Sequence, residues 1–221
     1  KNRKIYKITE DMEKSDIISS QKFRDILIFV KGPGEIAKLK RKLGALNDSD
    51  DYFKQYPILP LGLTGDIVAN QTMEYRNAVE KDIKDLIIDS FRSKPRSGSR
   101  SDSKMKPTRR VIIATNVAET GITIETLKYV IDTGWVLSNE FNPNFATGSL
   151  VAKPVTQSMY KQRRGRVGRK AEGICYPMYT EAVYKNMQKE QYPDIVKDDI
   201  TLDLLNILIR EIDPDNEINQ S

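Results

Sequence analysis

The sequence has no histidine and a single cysteine, Cys175, in 221 residues. Without histidine there is no imidazole-based catalytic triad or general base, and one thiol cannot form a disulfide framework or a Cys/His zinc site. No segment approaches the roughly 20 consecutive apolar residues that a membrane-spanning helix needs. The basic N-terminus (KNRKIYKITE) lacks the apolar core of a signal peptide. These absences exclude several enzyme classes and predict a soluble globular protein with no membrane partner.

Basic residues are in excess and they are clustered. The chain has 36 Lys and Arg against 31 Asp and Glu, a net charge of +5, which suits a polyanionic partner. One basic cluster, residues 92–110, is rich in Ser, Gly and Pro and is typical of a solvated loop. The other, residues 161–170 (KQRRGRVGRK), contains two glycines, each of which weakens a helix by about 1 kcal/mol. A plain solvated helix therefore explains the second cluster poorly.

Short, continuous apolar runs alternate with segments of helical spacing. Residues 26–30, 111–114 and 129–131 have the uninterrupted pattern of parallel strands that are covered on both faces. Helical spacing follows Pro33 and recurs over residues 71–91. This alternation predicts an α/β fold with a parallel sheet.

The remaining segments give less regular signals. Residues 57–63 (PILPLGL) predict a weaker strand, either at an edge or in a short segment, because Pro60 cannot donate to a sheet ladder. Residues 135–153 have two strand-like halves around a turn-rich centre and predict a β-hairpin. A helix is expected to start at Thr180 and Glu181, and another to cover residues 201–212 with a dense apolar face.

The segment QRRGRVGR carries the clearest chemical pattern. If it lies on a helix, Gln162, Arg166 and Arg169 project to one side together with Arg163. Arginine makes bidentate, permanently charged contacts with phosphate oxygens, and glutamine can orient a water by donating and accepting at once. A phosphoryl-transfer site needs both groups, one to neutralise developing charge and one to position the attacking water.

A second constellation, ATNVAETGITI, follows the strand at residues 111–114. Ligands of open α/β sheets bind beyond the carboxyl ends of the strands. Thr115, Asn116 and Thr120 can bond phosphate oxygens or sugar hydroxyls, and Glu119 can hold a basic partner across a domain interface. An ordinary turn with capping threonines explains the same residues equally well.

Three of these segments together resemble motifs IV, V and VI of superfamily 2 helicases: ILIFVKGPGEI (residues 26–36), ATNVAETGITI and QRRGRVGR. The similarity is greatest to DEAH/DExH-box RNA helicases and their viral relatives of the nucleoside triphosphate phosphohydrolase II type. Gly121 stands where cellular members usually have serine, which favours the viral branch. The resemblance implies a C-terminal, second RecA-like domain: an α/β parallel sheet flanked by helices, with an inserted β-hairpin between motifs V and VI.

The resemblance also implies roles for individual residues, with ATP and Mg²⁺ as cofactors. Gln162, Arg166 and Arg169 are the implied catalytic residues, which contact the phosphates of ATP and the attacking water. Gly121 and Thr123 are implied to lie beside the nucleotide. Thr115 and Asn116, with Thr120 as a third candidate, are expected to contact nucleic acid, and the hairpin to separate its strands. An adenine-stacking aromatic is expected as well, with Phe91 and Tyr75 as candidates.

Two motifs of a complete helicase motor are missing from the sequence. Neither GxxxxGK[ST] nor DExH occurs, so the loop that cradles the phosphates and the Mg²⁺ ligands are expected on a first RecA-like domain of the same polypeptide. The expected function is the second motor domain of an ATP-dependent RNA helicase, with DNA left open as a substrate and with no activity in this chain alone. The alternative is a non-catalytic nucleic-acid-binding module that has kept the helicase fold.

The expected organisation has three parts. Residues 1–24 form an N-terminal lead-in, residues 25–190 the RecA-like domain, and residues 191–221 the start of a helical region or a tail. The expected location is intracellular, in the host cytoplasm or the virion if the protein is viral.

Overall fold

The computed structural model describes residues 25–81, 86, 107–142, 147–168, 172–193 and 200–212. Within them, five strands form one parallel sheet, namely β1 (Asp25–Phe29), β2 (Ile58–Leu63), β3 (Arg109–Ala114), β4 (Leu127–Asp132) and β7 (Ile174–Pro177). Their spatial order is β2-β3-β1-β4-β7. The predicted α/β fold with a parallel sheet is confirmed.

The central strand β1 shows why the apolar runs are continuous. Successive side chains of a strand point to opposite faces. Ile26 and Ile28 pack into one core cluster, and Leu27 and Phe29 pack into the other. Helix α1 (Pro33–Ser49) covers the first face. Both faces of the sheet are therefore buried, as the absence of alternation predicts.

Strand β2 lies at the edge of the sheet, as Pro60 predicts, because it pairs with β3 alone among the described strands. The side chain of Asn47, near the end of α1, accepts from the amide of Ile58 at 3.0 Å and donates to its carbonyl at 2.8 Å. This buried amide fixes the start of β2 against α1. A short helix α2 (Asp51–Gln55) connects the two elements.

The segment predicted as helical over residues 71–91 differs from a regular α-helix. After helix α3 (Gly65–Ala69), helix α4 (Met73–Tyr75) continues as a π-helical turn over Arg76–Glu80. The guanidinium of Arg110 donates to the carbonyls of Asn77, Ala78 and Lys81. These bonds to carbonyls at the end of the helix favour the wider turn. Except for Leu86, the residues from 82 to 91 lie outside the described part of the chain.

The predicted hairpin is present. Strands β5 (Trp135–Asn142) and β6 (Thr147–Pro154) pair antiparallel, with Trp135 opposite Pro154. Helix α5 (Gln157–Arg164) follows, with the Thr156 side chain accepting from the amide of Met159. Thr180 caps helix α6 (Glu181–Lys185) as predicted, and α7 (Thr201–Ile212) matches the last predicted helix.

Several predicted segments lie outside the described residues, namely the lead-in 1–24, most of the basic loop 92–110, and residues 213–221. None of the helices that the structure describes is long and apolar enough to cross a membrane.

Candidate functional site

The candidate site lies at the edge of the sheet where β1, β3 and β4 end. Residues 115–126, here called the β3 loop, follow β3, and two residues separate the end of β4 from the start of the hairpin. Helix α5 brings its last turn to the same edge, and residues 164–168, here called the arginine turn, follow it. The carboxyl ends of parallel strands are where α/β sheets place their ligands.

Arg163 is the buried centre of this edge. Its side chain is fully buried, and its Nε and Nη2 atoms lie 2.7 Å from Oε1 of Glu119. Its Nη1 atom lies 2.7 Å from Oδ1 of Asp132, and the guanidinium lies over the ring of Phe29. Two longer bonds of 3.4 Å run to the carbonyl of Trp135, the first residue of the hairpin.

Asp132 gathers further donors at the end of β4. Its Oδ1 accepts from the amide of Gly134, and its Oδ2 accepts from the hydroxyl of Tyr179, both at 2.9 Å. Gly134 has a φ of 80°, and a Cβ there would lie 2.6 Å from the Tyr179 ring. Glycine is required at this position by both its backbone conformation and the close approach of the ring.

The electrostatics follow from burial. The pKa of Glu119 is raised above its ordinary value, and burial is the largest cause. The charge of Arg163 opposes this increase, and the negative charge of Asp132 adds to it. Burial also raises the pKa of the Tyr179 phenol, with the charge of Asp132 adding to the effect, so this hydroxyl stays a donor. One guanidinium thus lies between two buried carboxylates.

The prediction that Arg163 shares one helix face with Gln162 and Arg166 is wrong. Helix α5 ends at Arg164, and Gly165 is its C-cap. Gln162 is exposed, whereas Arg163 points into the protein. Glu119, predicted to hold a basic partner across a domain interface, instead pairs with Arg163 of its own domain.

Arg166 nevertheless contacts Gln162 and the β3 loop, but from the turn after α5 and not from the helix itself. The arginine turn bends after α5, and the amide of Arg166 donates to the carbonyl of Arg163 at 3.2 Å. The half-buried Arg166 side chain donates from Nη1 to the carbonyl of Ile122 at 3.2 Å and from Nε to the carbonyl of Gln162 at 3.4 Å. The structure therefore brings Arg166 to the β3 loop and to the main-chain carbonyl of Gln162, while Arg169 lies outside the described residues.

The β3 loop carries the other predicted residues. Gly121 has a φ of 71° and is exposed, and Thr123 is exposed beside the same Ile122 carbonyl that Arg166 contacts. Asn116 and Thr120 are exposed, while Thr115 is 9% exposed. Among the three residues predicted to contact nucleic acid, Thr115 is thus largely buried, and its amide donates to the carbonyl of Leu63 at 3.2 Å.

Of the two candidate adenine-stacking aromatics, Tyr75 is partly buried against the second core cluster and Phe91 lies outside the described residues. Within the described ranges there is no group of three or more Cys, Asp or Glu side chains that could hold a metal ion.

The single thiol beside the site is expected to be unreactive. Burial raises the pKa of the Cys175 thiol to about 12, with the charge of Asp132 adding to it and Arg164 opposing it. At pH 8 we expect the native chain to react with iodoacetamide about three orders of magnitude more slowly than the chain in urea, because only the thiolate reacts. Mass spectrometry of timed samples measures both rates, and native labelling within tenfold of the urea rate would contradict the expectation.

Comparison with known proteins identifies the domain. Residues 69–171 match the family model described as helicase conserved C-terminal domain. The chain is 39% identical over 194 residues to an African swine fever virus protein named "Putative RNA Helicase B962L", an alignment that spans 87% of this chain and 19% of the viral protein. The chain contains a helicase conserved C-terminal domain similar to those of RNA helicases. Its family is one of enzymes.

Other relatives of this helicase domain are cellular. The pre-mRNA-splicing factor ATP-dependent RNA helicase prp22 of Schizosaccharomyces pombe is 41% identical over 98 residues, which are 44% of this chain and 8% of prp22. The ATP-dependent RNA helicase DHX33 of Mus musculus is 39% identical over 104 residues, covering 47% of this chain and 15% of DHX33. The chain therefore spans less than a fifth of the length of these relatives.

The fold of the helicase domain is shared with a solved structure. The Escherichia coli DExH-box NTPase HrpB superposes with a TM-score of 0.61 at 24% identity, over 89% of this chain and 20% of HrpB. The predicted RecA-like architecture with its inserted hairpin is confirmed.

Proposed function

We propose that the chain is the second motor domain of an ATP-dependent RNA helicase and completes an ATP site with a first RecA-like domain of the same polypeptide. The observation that carries this proposal is the contact between Arg166 and the β3 loop. It leaves Gln162, Gly121 and Thr123 exposed around one half-buried guanidinium at the carboxyl edge of the sheet. That edge is the one from which an α/β domain contacts a nucleotide.

The side chains at this edge fit the phosphates of ATP. Arg166 can make bidentate contacts with phosphate oxygens, and its bond to the Ile122 carbonyl fixes the direction of its guanidinium. We assign to it, and to Arg169, the neutralisation of charge on the transferred phosphoryl group. Gln162, which can donate and accept, would orient the attacking water.

Magnesium ligation is assigned to the first domain. The two carboxylates at the site, Glu119 and Asp132, are buried and bonded to Arg163, so they are occupied by an internal cation. Residues of the first domain would hold Mg²⁺, and the chemistry it would supply when bound is neutralisation of phosphate charge. The residues of this chain would then contribute the arginine and glutamine contacts alone.

RNA is the proposed nucleic-acid substrate, because the relatives named above are called RNA helicases. Asn116 and Thr120 would contact its backbone through exposed side chains, with Thr115 beside them at the end of β3, and the hairpin would part the strands. Backbone contacts of this kind add affinity without reading sequence. We place this activity inside the cell, in the host cytoplasm or the virion if the source is viral.

The nucleic-acid part of the proposal is tested by RNA-stimulated ATP hydrolysis. In the full-length protein, Asn116→Ala is expected to raise the RNA concentration for half-maximal stimulation about fivefold, the loss of roughly one hydrogen bond of 1 kcal/mol. Asn70→Ala, at an exposed position at the end of α3, is the matched control and should leave that concentration unchanged.

Two results would contradict the proposal. One is an Asn116→Ala protein that matches the control. The other is stimulation by DNA at tenfold lower concentrations than by RNA, which would make DNA the substrate. The 221-residue chain alone is expected to hydrolyse no ATP.

A further inference from the structure

One guanidinium joins every segment of the candidate site. From helix α5, the side chain of Arg163 reaches the end of β1, the β3 loop, the end of β4 and the start of the hairpin. Its partners in these four segments are Phe29, Glu119, Asp132 and Trp135. Gln162 precedes it in the chain, and Arg166 donates its amide to the Arg163 carbonyl.

We propose that Arg163 is a positioning residue, which, through Glu119 and Asp132, holds the arginine turn and the β3 loop in the geometry that ATP hydrolysis needs and ties both to the base of the hairpin. The proposal rests on the proposed function. Arg163 is fully buried and therefore cannot contact a phosphate itself. Its action must pass through the residues on either side of it.

The geometry explains why a guanidinium is required. Nε and Nη2 contact Glu119, Nη1 contacts Asp132, and both terminal nitrogens lie 3.4 Å from the Trp135 carbonyl. A planar fork can serve all three partners at once, whereas the point charge of lysine cannot. The 2.7 Å contacts are charge-assisted and are about twice as strong as neutral hydrogen bonds.

Substitution of Glu119 can weaken the contact between Arg163 and the β3 loop without unfolding the domain. If Glu119 loses its charge, Arg163 and Asp132 remain as a balanced buried pair at 2.7 Å. The wild type has two buried carboxylates and one guanidinium, and Glu119→Gln leaves one of each. The stability cost of this substitution is therefore small. The freedom gained by the β3 loop would instead shift Arg166, and a displacement of about 1 Å at a reacting centre can cost 100-fold in rate.

The experiment compares two substitutions in the full-length protein. Glu119→Ala is expected to lower kcat for ATP by about 10- to 100-fold while KM for ATP stays within about threefold. Glu119→Gln, whose amide oxygen can still accept from Nε of Arg163, is expected to recover part of that rate. The melting temperature of the Gln variant should stay within about 2 °C of the wild type.

The outcomes separate the inference from the proposed function. A Glu119→Ala protein with kcat within twofold of the wild type would overturn the positioning role. So would a Gln variant that loses rate only in proportion to a fallen melting temperature, because Arg163 would then serve stability alone. If Arg166→Ala, made in parallel, hydrolyses ATP normally, the proposed ATP site itself fails, whatever Glu119 does.

Discussion

Arg166→Ala in the full-length protein should lower RNA-stimulated ATP hydrolysis by about three to five orders of magnitude, the range of arginine fingers in phosphoryl transfer. Arg166 is the described arginine that both contacts the β3 loop and keeps part of its side chain at the surface. Its loss removes the positive charge that would face the transferred phosphoryl group. Phosphate release at saturating ATP and RNA measures the effect.

Two variants make this prediction specific. Arg164→Ala removes an exposed arginine two residues away and should leave the rate within about threefold. Arg166→Lys keeps the charge but not the planar fork, so it should remain at least about 100-fold slower than the wild type. Equal losses in Arg164→Ala and Arg166→Ala would mean that the general positive charge of the segment matters, and would refute the assigned role of Arg166.

Arg110→Met should destabilise the chain by about 3–5 kcal/mol, because it leaves a buried carboxylate without its partner. Arg110 and Asp25 are 2% and 4% exposed, and Nε of Arg110 lies 2.8 Å from Oδ2 of Asp25. Arg110 also donates to Thr126 and to the carbonyls at the end of the π-helical turn. The substitution therefore loosens the junction of β1, β3 and α4.

Urea denaturation of the chain, followed by circular dichroism, measures this loss, and the melting temperature should fall on the order of 10 °C. Arg41→Met, at an exposed position on α1, is the matched control and should change stability by less than about 0.5 kcal/mol. An Arg110→Met chain as stable as the Arg41→Met chain would show that the buried pair contributes nothing net.

The sheet could be predicted from sequence because each of its buried strands shows a continuous apolar run within a few consecutive residues. Residues 26–30, 111–114 and 129–131 are apolar throughout, since strands buried on both faces cannot alternate. Pro60 marked the edge strand, and the turn-rich centre of residues 135–153 marked the hairpin. Strand β7 escaped prediction because its four residues are too few to show a period.

The different environments of the arginines within QRRGRVGR, buried for Arg163 and half-buried for Arg166, could not be predicted. Helical spacing placed Arg163 beside Gln162 and Arg166, yet Arg163 is buried and its partners lie 44 and 31 residues away along the chain. Periodicity describes one element and cannot reveal such pairs. The same holds for Arg110 and Asp25, which are 85 residues apart. The acidic residues that compensate Arg163 and Arg110 appear only once the strands are in register.

The most direct measurement of the central claim is photo-crosslinking of the full-length protein with an ATP analogue that carries the reactive group on its γ-phosphate. Cleavage after glutamate isolates residues 141–172, which include the arginine turn, and residues 120–125, which include Gly121 and Thr123. The proposed ATP site predicts label in the 141–172 fragment, lost when excess ATP competes. Label confined to other parts of the polypeptide would contradict it.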